Sequence, residues 1–450
     1  METFNLLVLG TGPAASRVAM RCAEHDWHVG VIDPRPYGGT CALRGCNPKK
    51  VLVRAAELTD WSRRVEGKGV RSGEAQIEWS ELIRFKRTFT EPVTESQEKS
   101  FEKAGIRQFH GSPRFTGRNS VVIEGRTVEA QHFLIATGAV PMELPIGGRE
   151  HLKTSDDFLE LEELPSRLVF VGGGYISFEF AHVAARAGAS VTILEMAERP
   201  LAPFEPELVE QLINRSRSVG IDVRTNARVE SIEPQSDGTF AVYVASTEGE
   251  TPIPADLVVH GAGRVPNIAG LDLEVAGIEA DKGGIRVNEF LQSVSNPAVY
   301  AAGDVAATGM PPLTPVANEE GRAVATNLVE GNRAKPDYGP VPTAIFSVPA
   351  LAAVGLTERA AQEQGLSFDV KSGDWAKFNS MQKVGETHAA YKILVERGSD
   401  RLLGAHLLGP DAAELINVFA LAMRFQLKAT DVKSVLFTFP TFAADIRSML

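Results

Sequence analysis

The sequence predicts an α/β protein with two Rossmann-like dinucleotide-binding domains and a C-terminal α+β module. Three observations carry this. A glycine-rich strand-turn-helix pattern opens the chain, the same pattern returns near residue 170, and residues 341–450 alternate strands with one strongly apolar helix.

The first unit reads strand, turn, helix, strand. Asn5-Leu-Leu-Val-Leu-Gly10 is a buried strand, Thr11 to Pro13 a turn, Ala14 to Ala23 an amphipathic helix, and His28-Val-Gly-Val-Ile-Asp33 the returning strand. The pattern Gly10-x-Gly12-x-x-Ala15 permits a tight turn and lets a pyrophosphate approach the backbone at the helix start, where Pro13 and Ala14 stand. Asp33 ends the second strand at the distance of a ribose ligand. The second copy is Arg167-Leu-Val-Phe-Val-Gly172-Gly-Gly174, the helix Tyr175 to Ala187, and the strand Ala189 to Glu195. Its third position holds Ser177, and Glu195 takes the place of the ribose acid.

Between the two units, residues 50–105 have helical spacing and residues 106–138 read as strands ending in Phe133-Leu-Ile-Ala-Thr-Gly138. The Pro/Gly cluster 140–148 is a crossing linker. A later strand, Ala298 to Asp304, precedes a helix from Glu319 to Val329, and Ala412 to Phe425 forms the apolar helix of the last module, suited to meeting a partner subunit.

Composition narrows the function. With 46 Lys+Arg against 57 Asp+Glu the net charge is -11, so a basic face for nucleic acid is not expected. No apolar run approaches the ~20 residues that cross a bilayer, and no basic leader precedes the strand near Phe4, so the expected location is the cytoplasm. Three cysteines are too few for a secreted disulfide scaffold.

Two of them stand close together, in Gly38-Gly39-Thr40-Cys41-Ala-Leu-Arg-Gly45-Cys46-Asn-Pro48-Lys49-Lys50. On a regular helix residues five apart rise ~7.5 Å, near the limit for a disulfide, so a bridge requires a distorted turn, which Gly45 and Pro48 permit. The neighbouring helix N-terminus with Lys49 and Lys50 favours thiolate at either sulfur. A redox pair and a pair of buried free thiols both remain open. Zinc is disfavoured, because no second Cys or His pair exists.

The segment Gly-Gly-Thr-Cys-x4-Cys-x-Pro-Lys-Lys closely resembles the redox-active segment of the FAD-dependent pyridine nucleotide-disulfide oxidoreductases, the family of glutathione reductase, dihydrolipoamide dehydrogenase and mercuric reductase. The likeness runs along nearly the whole chain. Ala136-Thr137-Gly138 resembles the family's closing flavin-domain strand, Gly263-Arg264-Val-Pro266-Asn267 its return from the nicotinamide domain, and Tyr300-Ala-Ala-Gly303-Asp304 its second flavin motif. Leu313-Thr314-Pro315-Val316-Ala317 is similar to the segment beside the flavin ring, and residues 341–357 to the start of the interface domain.

The resemblance implies a flavin domain from residues 1–140 and 265–335, split around a nicotinamide domain at 141–264, and a dimerisation domain at 336–450. It implies FAD, a nicotinamide nucleotide and a homodimer, with no metal. Cys46 would be the charge-transfer sulfur against the flavin, Cys41 the interchange thiol, Lys49 the partner of Glu179 near flavin N5, and Tyr175 the shield over the ring. Cofactor contacts would fall at Gly10, Gly12, Pro13, Ala14, Ala15, Asp33, Gly39, Thr40, Lys50, Thr137, Gly138, Gly172, Gly174, Ile176, Glu195, Gly263, Arg264, Gly303, Asp304, Thr314 and Ala317. Glu195 points to NADH over NADPH, because a carboxylate accepts from both ribose hydroxyls and repels a 2′-phosphate; Arg199 is the complication.

One departure from the family is large. Its C-terminal His-Pro-Thr appears here as Phe439-Pro440-Thr441, with Ala444 at the position of the following Glu and Asp445 next to it. The expected reaction carries electrons from NAD(P)H through FAD and the Cys41–Cys46 disulfide to a disulfide or other thiol-reactive oxidant, a small molecule. The alternative is a flavin reductase of a quinone, oxygen or a metal, with modulatory cysteines.

Overall fold

The computed structural model describes residues 2–71, 73, 75–245 and 252–450. The chain divides into two compact units. One comprises Met1–Lys49, Phe85–Met142 and Arg264–Tyr338; the other comprises Lys50–Arg84, Glu143–Gly263 and Gly339–Leu450.

In the first unit a seven-stranded sheet has the order Arg107–Phe109, Val29–Ile32, Glu2–Leu9, Arg126–Ile135, Ser120–Ile123, Arg114–Gly117, and Val299–Ala301 also pairs with Arg126–Ile135. Glu2–Leu9 runs parallel to both of its neighbours, so both of its faces are covered. Leu6 and Val8 pack against Ala14, Val18, Val324 and Leu328, while Leu7 and Leu9 pack with Phe133, Ile135 and Val299. Period-2 alternation thus serves two cores from one apolar strand. The helix Pro13–Ala23 takes Pro13 in its first turn, where the missing N–H costs nothing.

The second unit repeats the arrangement. Its parallel sheet has the order Ile221–Arg224, Ser190–Leu194, Arg167–Val171, Leu257–His260. Leu168 and Phe170 face Phe178 and Ala181, whereas Val169 and Val171 face a three-stranded sheet through Val229, Ile232 and Val242. Residues 50–84 belong to this unit because Leu52, Val53, Ala56, Trp79 and Ile83 join Phe158, Phe170 and Phe180 in its core. The rest is a five-stranded antiparallel sheet, in the order Thr343–Ile345, Ala350–Gly355, Leu402–Gly409, Ala390–Glu396, Phe368–Asp374, covered by Ala412–Arg424.

Some elements differ from expectation. The helical stretch at 50–105 is two helices, Cys46–Arg64 and Trp79–Lys103, joined by a turn region in which residues 72 and 74 lie outside the described set. The helix expected from Glu319 begins at Thr314, since Pro315 fits a first turn. The apolar helix Ala412–Arg424 spends Leu415, Ile416, Phe419 and Ala422 on its own sheet, leaving Leu421 and the following Phe425 exposed. Among the described residues, no helix is long and apolar enough to cross a membrane.

Candidate active site

The first glycine turn is shaped by contacts that exclude a side chain. A Cβ on Gly10, at φ +110, would meet the Ala136 carbonyl oxygen at 2.3 Å, and one on Gly39 would meet the Gly12 Cα at 2.5 Å. The turn at Gly12 and the start of the cysteine segment therefore lie backbone against backbone. Gly12 caps the helix without any side-chain hydrogen bond, so Pro13, Ala14 and Ala15 start a helix whose N–H end meets no side-chain acceptor at the cap. Asp33 accepts from Thr11 Oγ1 at 2.7 Å and from the Arg35 N–H at 3.0 Å, which fixes its carboxylate at the strand end. Gln97, which no sequence motif singles out, donates to the Thr11 carbonyl at 2.9 Å.

The two cysteines sit on separate helices. Gly39–Arg44 carries Cys41 and stops at Gly45; Cys46–Arg64 begins with Cys46. A Cβ on Gly45 would meet the Thr40 carbonyl oxygen at 2.9 Å, so the break needs glycine. Both cysteines are free thiols, with Cys46 exposed and Cys41 partly buried, and Cys46 Sγ lies 3.8 Å from Thr314 Oγ1. A hydrogen bond to the Cys46 sulfur, and then burial, push the Cys41 thiol well above its ordinary range. Of the two thiolates expected, the one at Cys41 is disfavoured: the hydrogen bond to Cys46 and burial outweigh the Thr314 hydroxyl, which pulls the other way. On the same helix Lys49 is buried, while Lys50 lies 4.0 Å over the Phe346 ring and 3.5 Å from Glu57.

The distant motifs of the first unit converge. Thr137 Oγ1 donates to the Asn267 carbonyl at 2.6 Å, the Asn267 N–H to Gly138 at 2.9 Å, and the strands Ala139–Pro141 and Arg264–Pro266 pair antiparallel. Arg264 donates to the Ala139 carbonyl. Burial raises the Asp304 carboxyl, with Arg264 opposing. The Gly303 N–H is held by Glu320, and Thr314 and Ala317 lie in the first turns of Thr314–Glu330.

In the second unit, a Cβ on Gly172 would meet the Ala262 Cα at 2.4 Å and one on Gly174 the Gly261 carbonyl oxygen at 2.8 Å. Ser177 suits the third position because its hydroxyl donates to the Gly172 carbonyl at 2.5 Å. Glu195 accepts from the Gly173 and Ala197 N–H groups, each at 2.7 Å. Arg199 is engaged by its own loop, donating to the carbonyls of Phe204 at 2.8 Å and Ala202 at 3.2 Å. Tyr175 opens the helix Tyr175–Arg186 half exposed, Ile176 is buried, and Gly263 ends this segment at φ +115. Glu179 is buried and accepts from the Phe346 N–H at 2.9 Å.

At the C-terminus Phe439 is 84% exposed. Asp445 accepts from Trp375 Nε1 at 2.7 Å and from the Ser380 hydroxyl, which ties it to its own domain.

Both turns offer what a dinucleotide needs: a helix start with no side-chain cap, a backbone cradle that any Cβ would fill, and a carboxylate at the next strand end. They fit FAD in the first unit and a nicotinamide nucleotide in the second.

Comparison with known proteins agrees. The pyridine nucleotide-disulphide oxidoreductase family matches residues 4–321, and its dimerisation domain matches residues 341–450. The chain is 34% identical to a glutathione reductase of Burkholderia cepacia over 443 residues, 98% of this chain and 97% of that one. It is 32% identical to a dihydrolipoyl dehydrogenase of Haloferax volcanii, covering 97% and 94% of the two chains, and 31% identical to a mercuric reductase of Lysinibacillus sphaericus, covering 99% and 82%. The solved Cu(II) complex of the HOCl-induced flavoprotein disulfide reductase RclA from Escherichia coli superposes with a TM-score of 0.88 at 28% identity, over 100% of this chain and 99% of that one. The chain belongs to the pyridine nucleotide-disulphide oxidoreductase family and is an FAD- and NAD(P)H-dependent flavoprotein disulfide oxidoreductase with a dimerisation domain.

Proposed function

We propose that this enzyme takes its electrons from NADH in preference to NADPH and delivers them, through Cys46 and then Cys41, to a small oxidant that needs no proton donor at the leaving group. The observation that carries the reading is the cysteine pair itself: two free thiols on adjacent helix ends, hydrogen-bonded to each other, with Cys46 beside Thr314. When bound, FAD accepts the hydride of the nicotinamide and passes two electrons on. The chain's own residues do the rest. Gly12 to Ala15 and Asp33 hold one dinucleotide, with Gly39, Thr40, Lys50, Thr137, Gly138, Arg264, Gly303, Asp304, Thr314 and Ala317 around it. Gly172, Gly174, Ile176, Glu195 and Gly263 hold the other. Tyr175 stands half exposed at a helix start, and Lys49 and Glu179 keep the roles that the family resemblance assigns to each.

NADH is favoured by two features. Glu195 is locked by two backbone N–H groups, and Arg199 is committed to two carbonyls rather than free for a 2′-phosphate. Three free cysteines suit a reducing compartment, the cytoplasm.

For the acceptor, a disulfide or thiol-reactive oxidant takes two electrons from the dithiol and leaves the Cys41–Cys46 disulfide. A second reading, Cu(II) as the acceptor, is favoured by the Cu(II) complex of the similar disulfide reductase and by Phe439, which removes the proton donor that a thiol leaving group needs. Anaerobic titration with NADH tests the cysteine route. A long-wavelength thiolate-flavin band at two electrons is expected; flavin bleaching without that band sinks the route. Turnover of Cu(II) in a variant lacking both thiols would then favour direct transfer from the flavin.

A further inference from the structure

Glu320 is a buried carboxylate that none of the roles above uses. It lies on Thr314–Glu330 and is 1% exposed. Its Oε2 accepts the Gly303 N–H at 2.6 Å; its Oε1 accepts the Tyr338 hydroxyl at 2.9 Å and the Thr308 hydroxyl at 3.2 Å. A carboxylate out of water is costly unless its oxygens are satisfied, and three donors from two segments, the loop carrying Gly303 and Thr308 and the stretch carrying Tyr338, satisfy this one. Gly303 adopts φ +76, a conformation that favours glycine, so the turn has no side chain at that position to fix it. The fixing comes from Glu320. The next residue in the turn is Asp304. Burial raises the carboxyl of Glu320, and the charge of Asp304 adds to that.

We propose that Glu320 is a positioning residue for the flavin site: by holding the Gly303 N–H it sets the Gly303–Asp304 turn and so the grip of Asp304 on FAD. The same helix begins at Thr314, beside the Cys46 sulfur, so one carboxylate joins the flavin-binding turn to the helix that flanks the redox pair. A buried negative charge in that turn also opposes new negative charge on the flavin, so a neutral replacement makes reduction easier. The inference rests on the assignment of Asp304 as a flavin ligand.

The test compares wild-type holoenzyme with Glu320→Ala, Glu320→Gln and Asp304→Ala. The readouts are the FAD dissociation constant, the flavin midpoint potential, and circular dichroism as a check on the fold. Glu320→Ala leaves the buried N–H unpaired and is expected to weaken FAD about tenfold. Glu320→Gln keeps an acceptor oxygen, so it recovers most of that affinity while its midpoint potential moves positive. A folded Glu320→Ala protein that binds FAD within about threefold of wild type overturns the proposal. If that variant does not fold, Glu320→Gln decides, and an unchanged midpoint potential overturns it. Wild-type affinity in Asp304→Ala would strike the flavin assignment of Asp304 instead, and a weakened Glu320→Ala beside it would rule out action through the turn.

Discussion

Arg186 donates to Asp60 through Nε at 3.0 Å and Nη2 at 2.6 Å, joining positions 126 residues apart. Arg215 reaches the same oxygen at 2.6 Å, and Arg64 Nε reaches the other at 2.8 Å. Each arginine lies in the last turn of its own helix, Cys46–Arg64, Tyr175–Arg186 or Pro206–Ser218, where a cation meets the negative end of the helix dipole. One buried carboxylate thus gathers three helix ends. Two of those helices carry at their other ends Cys46 and Tyr175. Beside the cluster, His182 Nδ1 accepts the Val348 N–H at 3.1 Å, and burial, with the arginines adding, holds His182 neutral.

Asp60→Ala is expected to cost about 3–5 kcal/mol of unfolding free energy, because it removes the carboxylate shared by the buried guanidinium groups of Arg186 and Arg215, while Arg64 keeps Glu386. Burial raises the Asp60 carboxyl, but Arg186, Arg215 and Arg64 outweigh it and the net shift is downward. A depressed folded-state pKa contributes stability above the unfolded value of ~3.9. That contribution begins to be lost as pH falls below about 4 and is gone only below the depressed folded-state pKa. Urea denaturation from pH 7 to pH 3 of wild type and Asp60→Asn checks this: the two curves converge in acid, and a constant difference would refute the account.

Cys41→Ser is expected to abolish thiol-dependent turnover while nicotinamide still reduces the flavin, since exchange with an acceptor needs a sulfur nucleophile at the interchange position. Stopped-flow flavin reduction and steady-state turnover separate the two steps. Full activity with the best acceptor would show that electrons bypass the pair.

NADH is expected to exceed NADPH in kcat/KM by at least about tenfold, and Glu195→Ala to narrow the gap by raising KM for NADH. A tenfold advantage for NADPH in the wild type would overturn the assignment of Glu195.

Glutathione disulfide is expected to be a poor substrate. A positioned acid/base contributes ~10²–10⁴-fold, and Phe439 with Ala444 supplies neither the imidazole nor the carboxylate that orients it. The double replacement Phe439→His with Ala444→Glu should raise that turnover at neutral pH. Wild-type turnover of glutathione disulfide that already matches a histidine-bearing relative would dispose of the argument.

Asp445 stands next to the missing carboxylate, yet it serves Trp375 and Ser380. Asp445→Asn is therefore expected to cost about 1–2 kcal/mol of stability and to leave the pH profile of turnover unmoved. Loss of one limb of that profile would make Asp445 the substitute acid.

The sequence by itself determined the architecture and the chemistry-bearing turns. Strand and helix periods are local properties, and glycines such as Gly10, Gly39 and Gly172 stand where only backbone fits, so both nucleotide folds and the cysteine segment were legible in the sequence. Tertiary structure decided the partnerships. Thr314 meets Cys46 across 268 positions, Asp60 meets Arg215 across 155, and Glu320 takes an N–H whose need for an acceptor no local pattern reveals. Nor could spacing show that the Cys46 sulfur and burial push the Cys41 thiol up or that Arg199 is engaged by its own loop. Burial and hydrogen bonding depend on which distant segments fold against a residue, and a charged side chain reads the same in sequence whether it faces water or three donors.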